Sequence, residues 1–407
     1  MMITRRLFMA GSSAGAAAAS GITPSWANAS AAHTAVQARP NYWEWFKYAD
    51  AVLEKWNVRE GADPDTVEIT SRRAAVGKPQ RILIVYPRPS SAYDVAITKI
   101  LGIFEDKMLD AQITVVNFRN DEVRGHRVIR HARDARFDLI MTMGSEATAF
   151  LWDHYKGGRI PVVSVCSKDP VVLGQSPAYT SGSGSNFAFT SLNMPIDVQM
   201  AYVNELKPNL RNIAVLVDSR NISAMETQAK PVIDYAKTRG VRVFELEVKN
   251  PADARVELER MVRDTTALMS RNDPDLSGSI YWVTGSTSVF REIATINAHA
   301  GRAAVISVVP DIVRGGDDSA VLSIGISFES NAHLAAVYAA DVLRSRAKIG
   351  ELKVGVVSPP DIAISFRKVR DIGMTVPLSF FEAAGTIYDY DGRAVRVDGV
   401  TVGLVGN

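Results

Sequence analysis

One cysteine, Cys166, is all that this chain of 407 residues contains, so no internal disulfide can staple it and its redox compartment leaves no mark on its composition. Long apolar runs are missing too. Every hydrophobic stretch is interrupted by charge or Gly within about ten residues, whereas a membrane-spanning helix needs about twenty. Excess charge of one sign is absent: 46 Lys and Arg stand against 44 Asp and Glu, for a formal net charge of +2. The basic residues are scattered and not interleaved with aromatics, which excludes a polyanionic partner and argues against nucleic acid. Histidine is scarce, and His126 and His131 lie five apart, off one helical face; with no H-E-x-x-H, no metal site is expected. Gly144-Ser145-Glu146 lacks the closing Gly of a nucleophile elbow. Gly182-Ser183-Gly184 leads to Phe187 instead of a third Gly, which denies a dinucleotide fingerprint. Cys166 has no His evidently placed to activate it and reads as a small buried residue. Asp317-Asp318 sits in a Gly-rich turn and reads as solvated. The sequence therefore offers little to an enzyme, and no cofactor is expected.

What the chain does have begins at its start. Arg5 and Arg6 precede Gly11 to Gly21, a small-residue run too short to span a bilayer, as in a twin-arginine export signal. Ala27-Asn28-Ala29 supplies the small alternate residues of a cleavage site, placing the mature start at Ser30 and the working protein in the periplasm. Residues 1–29 hold two arginines and no acid, so their removal takes the net charge from +2 to zero.

Hydrophobic content of 47% in a chain of this length suits two cores. Asn41 to Trp56 spaces its aromatics and aliphatics helically and predicts an amphipathic helix packed on the main body; Gly61 to Lys78 reads as a polar linker. From Arg81 onward, short β-branched runs alternate with helical periodicity, the grammar of a parallel sheet with helical crossovers. Strands are expected at Arg81–Tyr86, Gln112–Phe118, Asp138–Met143 and Ile160–Cys166. After a Ser/Gly/Pro/Thr-rich pause at Ser176 to Ser185, the pattern restarts with Asn212–Val217, Val241–Val248, Ser279–Val283, Ala304–Val309, Ala320–Phe328 and Asp361–Phe366. Three short β runs close the chain, divided by Asp391-Gly392 and Asp398-Gly399, both hairpin-turn signals.

Open parallel sheets bind ligands beyond the carboxyl ends of their strands, so the segments after the strands are the candidate site. They read Arg88–Tyr93, Gly144–Thr148, Ser167–Asp169, Asp218–Ser223, Thr284–Ser288 and Pro310–Asp311. Hydroxyls at helix starts leave backbone N–H groups free for a carboxylate, and acids in neighbouring loops suit an ammonium. The same residue types cap helices in every α/β protein, so each loop has a capping reading beside the ligand reading.

As a whole, residues 81–383 resemble the substrate-binding proteins of ABC transporters related to tryptophan and tyrosine uptake. The resemblance is carried by Met143-Gly144-Ser145-Glu146-Ala147, by Val165 to Val171 ending in Asp169-Pro170-Val171, and by Ser185-Asn186-Phe187. Later carriers are Leu206-Lys207-Pro208-Asn209 before Ile213-Ala214-Val215-Leu216, then Thr284 to Thr287, and Ile364 to Pro377. Arg88 and Glu146 depart from the small neutral residues of that family. The resemblance implies an α/β type I periplasmic binding protein fold of two Rossmann-like lobes with parallel sheets. Three crossings would join the lobes near Asn186–Ser191, Ile326–Ser330 and Gly350–Val354, with an N-terminal helix and a C-terminal β-meander added. Its division would be a signal at 1–29, helix and linker at 30–80, lobe 1 at 81–188 with 328–350, lobe 2 at 189–327 with 351–384, and a β extension at 385–407. The implied function is a periplasmic monomer that closes on a small amino-acid-like or carboxylate ligand and delivers it to an ABC permease, after export by the twin-arginine translocon. By position the resemblance assigns ligand contact to Ser91, Tyr93, Ser145, Glu146, Ser167, Asp169, Phe187, Asp218, Asn221, Thr284, Ser286 and Asp311; of these, Tyr93 and Phe187 can stack on a ligand or fill a core. The alternatives are a ligand-sensing subunit for a membrane sensor kinase, or an exported enzyme.

Overall fold

A computed structural model describes residues 40–74 and 77–402. The export signal at Arg5 and Arg6, and the last residues of the expected third terminal β run, lie outside them. Sixteen strands form two sheets among these residues. The first sheet holds β1 (Trp56–Glu60), β2 (Thr66–Ser71), β3 (Gln80–Tyr86), β4 (Ala111–Asn117), β5 (Leu139–Met143), β6 (Val162–Val165) and β7 (Phe187–Ala188), in the order β1-β2-β4-β3-β5-β6-β7. From β4 through β7 every pairing is parallel. In β3 the side chains alternate between two buried faces: Leu83 and Val85 pack with the helices 122–135 and 144–155, and Ile82, Ile84 and Tyr86 with the helix 91–106. Burial on both faces is why the strand reads as one continuous apolar run.

The second sheet is built from β8 (Asn212–Asp218), β9 (Arg242–Val248), β10 (Ser279–Val283), β11 (Ala304–Ser307), β12 (Leu322–Gly325), β13 (Asp361–Ser365), β14 (Ala384–Tyr388), β15 (Ala394–Val397) and β16 (Val400–Thr401), in the order β16-β15-β14-β13-β12-β11-β10-β8-β9. Here too the central strands β9, β8, β10, β11 and β12 are parallel. The C-terminal meander continues this sheet, because β14 pairs with β13. Its last turn places Asp398 at φ 49° and Gly399 at φ 78°, the left-handed pair that a two-residue hairpin requires.

Three crossings link the lobes. The first and third run side by side, with Gly355 N donating to Phe189 O and Ser191 N to Gly355 O, both at 2.8 Å. The second leads into the helix Phe328–Leu343, whose buried face is Ala332, Ala335, Ala336, Ala339 and Ala340. These small side chains let it lie closely against the helix Ser91–Asp106 of the first lobe.

The N-terminal segment differs from its sequence pattern. In place of one helix over 41–56 there are a 3-10 turn at Asn41–Glu44 and a single helical turn at Val52–Lys55, and then β1 starts at Trp56. The expected linker contains β2, which pairs antiparallel with β4. The cause is tertiary. Lys47 N donates to Asp94 Oδ1 and Ala49 N to Thr98 Oγ1, each at 3.1 Å, so these amides are taken by a distant helix instead of the local i−4 carbonyls. Trp45 and Phe46 pack edge-on or tilted on Tyr86, both at 5.8 Å between ring centroids.

Candidate functional site: a cleft between the lobes

The carboxyl ends of the strands of both sheets meet at one cleft. From the first lobe come Arg88 and Tyr93 after β3, Ser145 and Glu146 after β5, and Lys168 after β6; from the second come Asn221, Gly285 and Val309. Of three larger hollows, those of about 450 and 680 Å³ are lined by first-lobe elements and the N-terminal segment alone, and one of about 360 Å³ by second-lobe elements alone. The cleft is narrow, leaving about 50 Å³ for the centres of water molecules. At about 10–15 Å³ per water this is room for a few waters, well below the roughly 300–1,000 Å³ of ordinary small-molecule pockets. The lobes are thus closed, and a ligand of several heavy atoms enters only if they part.

Charge in the cleft comes from three side chains. Arg88 donates from Nε and Nη2 to Glu146 Oε1 at 3.2 and 3.0 Å. Burial pushes the Glu146 carboxyl up, but the charges of Arg88 and then Lys168 outweigh it, and the net effect is a lowered pKa. Glu146 also sits in the first turn of the helix Gly144–Tyr155, where the dipole favours an anion. Burial pulls the Lys168 pKa down, and Glu146 only partly restores it. Gly144, at φ 77°, occupies the left-handed region, and a side chain there would collide with the Tyr93 hydroxyl. A glycine at this position lets the ring approach the start of the helix.

On the opposite wall, the helix that starts at Ile222 widens into a π turn at Met225–Ala229, a local irregularity common where a helix meets a ligand. The turn presents Gln228, whose Oε1 accepts from Gly285 N at 2.7 Å. Asn221 caps that helix, with Oδ1 accepting from Ala224 N at 3.2 Å. Cys166 lines the floor with its thiol held protonated: burial, then the charge of Asp311, pushes its pKa up.

A family model for ABC transporter substrate binding proteins matches residues 100–387. The chain belongs to that family. Among solved structures, this substrate-binding protein is similar to an ABC domain from Streptococcus pneumonia in complex with L-Trp, at 18% identity and TM-score 0.60, over 76% of this chain and 100% of that one. A conserved domain protein from Vibrio cholerae matches at 16% identity and TM-score 0.59, over 76% and 100%. A ligand-free, open substrate binding protein with adhesive properties from Clostridium difficile matches at 16% and 0.57, over 76% and 99%. No curated protein sequence matches significantly. These likenesses establish the type I periplasmic binding protein fold that the family resemblance implied.

Within this substrate-binding protein, four of the twelve residues expected in the site line the cleft: Tyr93, Ser145, Glu146 and Asn221. The others are placed elsewhere. Ser91 is exposed at the start of its helix. The Asp169 carboxylate is engaged by its own turn, accepting from Val171 N at 2.9 Å and Val172 N at 3.1 Å and from the Tyr179 hydroxyl. Phe187 is fully buried, stacked with Phe189 at 5.8 Å and edge-on to Trp152 at 5.2 Å, which is the core reading. Asp218 accepts from the Ser288 hydroxyl at 2.7 Å and Arg220 N at 2.9 Å. Thr284 donates across strands to Leu216 O at 2.9 Å, and Ser286 accepts from Asp218 N at 3.3 Å. Ser167 Oγ and Asp311 Oδ2 are buried with no hydrogen-bond partner. Sequence reasoning did not single out Arg88, Lys168 or Gln228, all of which line the cleft. The signal available was position: both cations follow first-lobe strands directly.

Proposed function

We propose that this substrate-binding protein is exported through the twin-arginine route, works in the periplasm as a monomer, and carries a small amino-acid-like carboxylate unchanged to an ABC permease. The observation that carries the ligand class is the charge of the cleft. Arg88 and Glu146 neutralise one another, which leaves Lys168 without a carboxylate of its own. A ligand carboxylate supplies one, assisted by the N-terminal dipole of the helix 144–155, and Glu146 is at hand for an ammonium. The moving bodies are residues 81–188 with 328–350 and residues 189–327 with 351–384, and each terminal strand travels with the sheet that it extends. Binding without chemistry is supported by the protonated Cys166 thiol and by the lack of His among the residues lining the cleft.

A thermal-shift screen over amino acids, dicarboxylates, nucleosides and sugars identifies the ligand class, since a ligand that binds only the folded state stabilises it. We expect hits among the first two, recovered chemically intact. Lys168→Met then weakens the best hit about 10- to 100-fold, the loss expected for one hydrogen bond to a charged group. Wild-type affinity in Lys168→Met, or a preference for neutral sugars, would refute the carboxylate reading.

A further inference from the structure

We propose that lobe 1 carries a surface site for a borderline divalent cation of the zinc class, held by Glu122, His126 and His154. The three residues come from two helices, Glu122–Ala135 and Gly144–Tyr155, and one ligand atom from each lies within 4.8 Å of the other two. Glu122 and His126 are four apart and share one helical face, with His126 Nε2 3.7 Å from Glu122 Oε1. His154 comes from the neighbouring helix, its ring 4.6 Å from that of His126.

The packing explains the approach. Gly125 lies where a side chain would run into the Phe150 ring, so the first helix seats directly on Phe150. Phe150 in turn touches both imidazoles, at 5.5 Å from His126 and 4.7 Å from His154 between ring centroids. Phe150 thus supports both imidazoles, while Glu122 and His154 are exposed and His126 is half-buried. Two neutral imidazoles and one carboxylate are a zinc donor set, with the fourth position left to water. In a tetrahedral site with bonds near 2.0–2.2 Å the donors stand about 3.3 Å apart, so they need draw in by roughly 1 Å. The side chains of His126 and Glu122 are 42% and 75% exposed, and rotation about their own bonds accomplishes this without moving backbone. Soft sulfur ligands are absent and oxygen contributes only one donor, which disfavours Cu(I) and Mg²⁺ respectively. His154 stands about 15 Å along its helix from Gly144, so the site is separate from the cleft yet shares a helix with it.

The test is isothermal titration of Zn²⁺ into tag-free protein stripped with EDTA. We expect one equivalent bound, a rise in thermal midpoint, and no response to Mg²⁺. His126→Ala and His154→Ala should each weaken binding by more than the roughly 10- to 100-fold that loss of a mere supporting group costs, and Glu122→Gln should weaken it as well. His299→Ala, remote in sequence and structure, should bind as wild type does. The midpoints of the variants in EDTA establish that they fold, and His126→Gln and His154→Gln repeat the test with bulkier neutral side chains. Failure to bind one equivalent of Zn²⁺, or binding that survives loss of His154, overturns the proposal.

Discussion

Phe46→Ala lowers the stability of the whole first lobe by about 3–5 kcal/mol, the usual cost of emptying a fully buried phenylalanine site. Against a typical total of about 5–15 kcal/mol this is about a fifth or more of what holds a domain together. The size of the effect follows from where the ring lies. Phe46 is wholly buried, contacts Tyr86 at the end of β3, and joins Tyr42, Trp45 and Trp56 in the same core as Ile84, Ile97 and Ile113. A peripheral helix would lose far less, because its partners could close over the gap or admit water. Urea denaturation followed by tryptophan fluorescence measures the change in midpoint. A change worth less than about 1 kcal/mol would mean that the segment before β3 is an accessory and not part of the lobe's core.

That segment also shows where sequence reading stops. Its spacing of Tyr42, Trp45, Phe46 and Val52 is helical, but Asp94 and Thr98 claim two of its amides, and no local pattern reveals that competition. β2 illustrates a different limit: Val67 and Ile69 alternate correctly with polar residues and are fully buried, yet six residues inside the polar stretch from Gly61 to Lys78 read as linker. The parallel strands were legible because burial on both faces makes each a compact apolar run, and their order then located the cleft by the general rule for open sheets. Individual ligand contacts were less legible. A Ser or Asp after a strand can cap, tie strands together or face the cleft, and Asp169, Asp218 and Thr284 turn out to be spent on internal hydrogen bonds. Lys168 was hidden for the opposite reason. A lysine in a loop usually points to water, and only the closing of a second lobe over it removes that water.

Asp311→Asn should stabilise the protein at pH 8 by on the order of 3 kcal/mol and leave it nearly unchanged at pH 4. Asp311 stands half-buried beside the second crossing and takes a hydrogen bond from the backbone of Phe328, but its Oδ2 is buried without a partner. Burial pushes its pKa up to about 6 from an ordinary value of 3.8; hydrogen bonds from its own backbone and that of Phe328 only partly offset the burial, and Asp361 and Glu329 add a smaller repulsion. The folded state therefore holds this proton over a range in which the unfolded chain has already released it. As pH rises from about 4 to about 6 the unfolded state gains by about 1.4 kcal/mol per pH unit, and above 6 the penalty is complete. Asp94, raised to about 6 by burial that the N–H and charge of Lys47 only partly offset, adds to the loss over the same window. An amide at position 311 has no proton to lose, so the two proteins should diverge through that window. Urea midpoints at pH 4, 6 and 8 measure the divergence, and a difference that did not depend on pH would remove Asp311 from the account. Saturating ligand sharpens the result further. A ligand ammonium that reached Oδ2 would lower the folded-state pKa, and the pH gradient of the wild type would flatten, whereas a ligand held only by Lys168 and Glu146 would leave it in place.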